Sequence, residues 1–255
     1  MIQTVMQLIH FLAIAPITFF NSMRSAEDTS PKVRKSRIVG SKATLFASPS
    51  LTVCGPLQLG EVITDLRNGW SPQCLERPAT EDEWGVLKVG AVSYGWFDDR
   101  QNKALPPTLQ PKPSLEVKPG EVIISRANIL RLVGACAIVR ETRPCLLLCD
   151  KLFRVEFLKD SPMLPDFLAE VLKTHSVRQQ IEAGAIGTSP TMKNISKSAL
   201  LELTFSVPTG PDGLKIQERM ISNLEAARLD VRDLRAQAAK ARTAAWGEFL
   251  AAIFE

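Results

Sequence analysis

MISNLEAARLDVRDLRAQAAKARTAA, residues 220–245, is the stretch on which the fold turns. Met220, Leu224, Ala227, Val231, Leu234, Ala238, Ala241 and Ala245 fall at alternating steps of 4 and 3. That repeat keeps an apolar seam along one side of a helix and suits left-handed pairing with a second helix. Helix is predicted from Leu214 to about Phe254, with Phe249 extending the seam and Trp246, Phe249 and Ile253 closing it in an apolar cluster. An apolar stripe more often packs on its own core, but about 35 residues, on the order of 50 Å of helix, outruns a compact domain. Alanine at 227, 238, 241 and 245 allows close approach. The seam therefore predicts a coiled-coil helix that docks on another helix, and the body upstream is what it presents.

That body, residues 51–208, is read as β-rich with polar loops and ends in Pro208. Leu57 to Leu66 has a short helix period ended by Asn68-Gly69. Trp84 to Phe97 alternates as a strand or hairpin, and 98–114 reads as a long polar, proline-rich loop. Glu121–Ser125, Val133–Val139, Cys145–Cys149, Leu152–Phe157 and Thr204–Val207 are strand candidates. Leu164–Lys173 and Ser176–Ala183 are helical, ended by Gly184 and Gly187, and Ser198–Leu203 is a helical turn. The expected class is α+β: a curved or barrel-like sheet with helices on one side, followed by the long helix.

The formal net charge is +4, and its location matters more than its size. Residues 1–50 carry six Lys/Arg against Glu27 and Asp28, while residues 57–206 balance 18 basic against 18 acidic residues. A body that is neutral overall is not a generic nucleic-acid glue, so DNA binding would have to come from local clustering. Lys118 to Arg154, with seven basic and three acidic residues, is one such cluster. Residues 1–50 divide into an apolar N-terminal segment and a basic flexible linker. No basic n-region precedes Met6–Phe20 and Pro16 interrupts it, so it is read as a packing helix or a mis-set start rather than a membrane anchor. A cytoplasmic protein without a membrane partner is expected.

Five cysteines in irregular spacing and two histidines supply neither a disulfide framework nor a metal set. Buried free thiols are the simpler reading. No Ser/His/Asp or Cys/His pairing, methyltransferase N-P-P-Y motif, Gly-rich cofactor loop or phosphate loop stands out. The chain is therefore expected to be non-catalytic, with no cofactor and no metal.

Several blocks, in order, resemble one known family. They are LGEVI (59–63) through GWSP (69–72), WGVLKVGAVSYG (84–95), PGEVIISRANILRLVG (119–134) and LPDFLAEVLKTHSVRQQIEAGAIGTSPTMKNI (164–195). With the terminal helix, this pattern resembles the specificity (S) subunit of type I restriction–modification systems. Glu121 stands where the family commonly has Asp. The resemblance implies a target recognition domain that reads one half of a split DNA sequence, a spacer helix, and partners in the methyltransferase (M) and restriction/translocase (R) subunits. Family members usually carry two recognition domains. With room for one, this chain resembles a half-length form that would form a homodimer through its helix. The alternatives are the recognition subunit of a stand-alone methylation system and a coiled-coil adaptor with no DNA role.

Candidate contacts to double-stranded DNA follow from residue chemistry. Ser125, Arg126 and Asn128 leave a strand into a turn, where Arg and Asn suit phosphate positioning or base edges. Alternatively Arg126 pairs with a carboxylate and Asn128 caps the turn. Thr188, Ser189, Thr191, Lys193 and Asn194 form a polar, glycine-hinged loop that suits a phosphate or is an ordinary capped surface loop. Lys88 is placed near the centre of a strand, facing either a groove or solvent. Arg100, Gln101 and Lys103, with Asn102, sit on the long loop, as base readers or as solvated side chains.

Overall fold

The computed structural model describes residues 54–189 and 192–254. The N-terminal segment, the basic linker and Thr191 lie outside the described residues.

Eleven strands are described: β1 (Cys54–Gln58), β2 (Ile63–Asn68), β3 (Gly85–Leu87), β4 (Asn102–Ala104), β5 (Val122–Ser125), β6 (Ala127–Asn128), β7 (Cys136–Ile138), β8 (Leu146–Leu147), β9 (Leu152–Phe157), β10 (Lys193–Asn194) and β11 (Thr204–Pro208). Four helices accompany them: α1 (Pro165–Val171), α2 (His175–Gly184), α3 (Lys197–Leu201) and α4 (Gly213–Phe254). The strands lie in four small sheets, ordered β2-β9-β5-β7, β4-β3-β8, β1-β11 and β6-β10.

In the four-stranded antiparallel sheet β5, β7 and most of β9 form a wall buried on both faces, while the edge strand β2 exposes Thr64, Asp65 and Arg67. Successive side chains of a strand point to opposite sides. Val122 and Ile124 of β5, Phe153 and Val155 of β9 and Cys136 of β7 enter one apolar core with α1, α2 and β11. Ile123, Leu152 and Ala137 enter a second core with β3 and β8. Double-sided burial explains why VIIS and LFRVEF read as nearly continuous apolar runs rather than as alternation. Arg154 is the buried charge of β9. Its guanidinium reaches Glu121 Oε1 at 2.7 Å and donates to the carbonyls of Ser114 (2.9 Å) and Glu116 (3.0 Å). These bonds tie the 113–116 segment to the wall.

The described ends of the body close on each other: β1 pairs antiparallel with β11, Cys54 opposite Pro208 and Gln58 opposite Thr204. Helix α4 starts at once and runs 42 residues, about 63 Å at 1.5 Å per residue. Only its base is attached. Gln217 is fully buried, accepts from Leu164 N at 2.9 Å and donates to Pro162 O at 2.8 Å. Arg228 forks onto Glu170 at 2.6 and 3.0 Å, and Arg140 bridges Asp166 and Glu225. From Ala226 to Phe254 every residue is exposed, including Ala227, Ala238, Ala241 and Ala245. Met220, Leu224, Val231, Leu234 and Phe249 are 48%, 37%, 46%, 62% and 53% exposed, so the predicted seam is uncovered.

Three readings of the sequence are corrected. Leu57–Leu66 is not a helix but β1, a 3-10 turn at Leu59–Glu61, and β2. Trp84–Phe97 is one short strand and a 3-10 turn at Val89–Val92, which moves Lys88 from mid-strand to the corner before that turn. The 98–114 loop contains β4, which pairs with β3 in register Leu87↔Asn102.

Candidate nucleic-acid interface

Two polar motifs that are distant in sequence meet on the surface. Strands β6 and β10 pair antiparallel, with Lys193 opposite Asn128 and Asn194 opposite Ala127. Asn194 exchanges backbone bonds with Ile186 (2.8 Å each way). Gly187 follows Ile186 at φ +127°, and a Cβ there would come 2.9 Å from the carbonyl of Met192. Only glycine suits both the left-handed backbone and the close approach. Lys193 Nζ donates to the Gly187 carbonyl, Thr188 is exposed, and Ile186 and Met192 are 65% and 41% exposed. Ser189 is half-buried.

Asn128 holds the other side. Its Oδ1 accepts from Ile129 N at 2.9 Å and its Nδ2 donates to Ser93 Oγ at 3.3 Å. The turn-capping alternative thus describes Asn128, and the bond to Ser93 fixes the Lys88–Ser93 corner against the motif. Among the described residues Arg126 pairs with no carboxylate; its side chain donates to the Asp150 carbonyl at 3.4 Å and lies 5.9 Å from the Phe153 ring. Its backbone N–H donates to Lys151 O at 2.9 Å. Ser125 is fully buried, with its hydroxyl directed to Ala127 O at 3.4 Å, so the surface place expected for it is corrected to a place in the core.

The long-loop residues lie elsewhere. Arg100 is ion-paired with Asp98 at 2.8 Å, and the guanidinium holds the Asp98 carboxyl below its ordinary range. Lys103 bonds Glu76 at 2.7 Å. Gln101 accepts from Lys88 N through its carbonyl at 2.8 Å and is half-buried, whereas the Lys88 side chain is exposed. The sequence reading passed over Arg131, exposed three residues beyond Asn128, and the exposed Lys151 beside Arg126. Arg131 stands in the quoted SRANILRLVG block itself, and Lys151 in the Asp150-Lys151 turn.

All five cysteines are free. Burial pushes the Cys136 thiol up to about 12 and the Cys149 thiol up to about 11. Among the described residues no group of three or more His, Cys, Asp or Glu is placed to hold a metal ion, and no helix is long and apolar enough to cross a membrane.

What this geometry defines is a mixed α+β body with a polar two-strand surface, carried on a long, largely unattached helix. No family model matches the chain. The type I restriction enzyme EcoEI specificity subunit of Escherichia coli is 31% identical over 169 residues, which are 66% of this chain and 28% of that protein. The HsdS subunit from Thermoanaerobacter tengcongensis shares the fold with a TM-score of 0.52 at 18% identity, over 74% of this chain and 45% of that one. A chain from a structure of type I R-M complex assembly and conformational transition matches with a TM-score of 0.50 at 18% identity, over 78% and 45%. Over the matched stretch this chain is similar to the specificity subunit of a type I restriction enzyme. It spans less than half the length of each of these relatives.

Proposed function

We infer that this chain recognises a DNA sequence on behalf of catalytic partner subunits. The body reads one half of a bipartite site in double-stranded DNA, and α4 sets the spacing by pairing with a second helix in a coiled coil. That helix belongs to another copy of this chain or to a further recognition unit. The methyltransferase subunits carry out adenine methylation and the restriction/translocase subunit cleavage, in the cytoplasm. The chain itself catalyses nothing and needs no cofactor.

The observation that carries this reading is the β6–β10 pairing. It sets Asn128, Lys193 and Asn194 side by side, with Arg126 and Arg131 close to Asn128 in the chain. Backbone-held polar groups with scattered cations suit phosphate positioning, which fixes the register of base-reading loops. Arg100 and Gln101 lie on the loop before β4 and Lys103 on β4 itself, where base choice can vary without disturbing the wall. The uncovered seam supports the assembly half of the reading.

Co-expression with the cognate methyltransferase subunit, followed by sequencing of methylated adenines, tests it. A split motif whose methylation requires this chain is expected. A palindromic motif means two copies of the chain and an asymmetric one a different second reader. No methylation overturns the reading.

A further inference from the structure

A second basic feature adjoins the β6–β10 surface and was not visible as a unit in the sequence. The chain leaves β2 at Gly69, where a Cβ would come 2.0 Å from the Leu148 carbonyl, so the backbone crosses directly over the residues that follow β8. Trp70 N donates to that carbonyl at 2.9 Å. The next residue, Ser71, clamps Asp150: its hydroxyl donates to the carboxylate and accepts from Asp150 N at 3.1 Å. Further on, Leu75 N donates to Ala104 O at 2.9 Å. The strap Ser71–Glu76 is therefore held at both ends, and it stands away from the β3 corner.

Between strap and corner lies a cleft of about 340 Å³ with Val86, Leu87 and Cys149 in its floor. Lys88, Lys103 and Lys151 rim it, against the single carboxylate of Glu76. Lys103 is satisfied by Glu76 at 2.7 Å. Lys88 and Lys151 are exposed and have no ion pair among the described residues. Two unpaired ammonium groups over a cleft attract an anion, and the fixed strap spares the ordering cost of receiving one. The turn that carries Lys151 also accepts the Arg126 backbone bond, so the cleft starts where the β6–β10 surface stops. An anion that lies across both is a polymeric one.

We propose that this cleft is a DNA-strand groove in which Lys88 and Lys151 each neutralise one backbone phosphate, with Ser71 and Gln73 on the wall facing the strand. The proposal rests on the DNA-binding reading above and extends it to a strap outside both polar motifs. Exposed cations of this kind shape affinity uniformly across sequences, not the choice of base.

The test uses the full chain and a mixed-sequence duplex, with affinity measured between 50 and 200 mM salt. Loss of two phosphate contacts in Lys88→Ala/Lys151→Ala makes the log affinity–log salt slope shallower by about 1.8. Both lysines are exposed, so an unchanged melting temperature confirms that the variant is folded. A second readout is alkylation of Cys74, which lines the cleft, at pH 8.5, with exposed Cys54 as reference. Saturating duplex is expected to slow Cys74 at least several-fold more than Cys54. An unchanged slope with unprotected Cys74, while Lys193→Ala weakens binding, overturns the groove and leaves the β6–β10 reading standing. No duplex binding by the wild-type chain overturns both.

Discussion

Lys193 lies directly opposite Asn128 across an antiparallel strand pair, although helices α1 and α2 intervene between them in the sequence. The two side chains do different work. Asn128 is spent on the Ile129 N–H and Ser93 Oγ, whereas Lys193 donates to the Gly187 carbonyl.

Separate effects are expected from the two residues. Asn128→Ala removes hydrogen bonds that hold the turn and the Lys88–Ser93 corner, at a cost of about 1 kcal/mol, read from urea unfolding. Lys193→Ala leaves the urea midpoint unchanged and makes the salt slope of duplex binding shallower by about 0.9. An unchanged slope would remove Lys193 from the interface.

Arg154 should be the most sensitive charged residue of the body. Its side chain is 10% exposed and Glu121 beside it is 20% exposed. Arg154→Ala leaves the Glu121 carboxylate and the Ser114 and Glu116 carbonyls without their donor. Breaking a buried pair from one side costs about 3–5 kcal/mol. Chemical denaturation measures it, and a loss under 1 kcal/mol would contradict the role given to Arg154 in fixing the 113–116 segment.

Attachment of α4 should depend on acid pH through Glu170. Burial raises its carboxyl, but the bonds from Arg228 and Lys173 outweigh it and hold the group below the usual carboxylate range. A depressed folded value means the contribution is fully present above the unfolded value, about 4.3, and is lost as pH falls through the folded one. Amide exchange over residues 217–228, corrected for intrinsic rates, should accelerate below pH about 4. Glu170→Gln should show fast exchange already at pH 7 and a flattened acid response.

The uncovered seam should govern association and not folding. Leu224→Glu, Val231→Glu and Leu234→Glu together alter side chains that are 37%, 46% and 62% exposed. The body's melting temperature should hold, while light scattering behind gel filtration shows loss of association with the second helix. Association that survives the triple variant would place the partner surface elsewhere.

Much of this was legible in the sequence where a strong period or an unbroken apolar run carried the signal. Leu152–Phe157 matches β9, Thr204–Val207 falls within β11, and the helices after Leu164, Ser176 and Leu214 are all present. The error at Leu57–Leu66 has a physical cause. The register of β2 shifts between Ile63 and Asp65, so its buried residues, Ile63 and Leu66, are three apart and imitate a helical turn. Ser125 was misplaced because a strand buried on both faces gives no polar side to its residues. The two polar motifs could each be picked out, but their pairing could not. It is two residues long on each strand and follows from where the wall and α2 deliver the chain. The Lys103–Glu76 and Ser71–Asp150 contacts were hidden for the same reason.

The central claim is that the body selects the DNA and α4 selects the partners. Its most direct test replaces residues 54–208 by the corresponding body of a specificity subunit with a known, different target, keeps α4, and sequences the adenines methylated with the same methyltransferase subunit. The account predicts that the half-site recorded becomes that of the donor body. A motif that stays unchanged after the graft would contradict it.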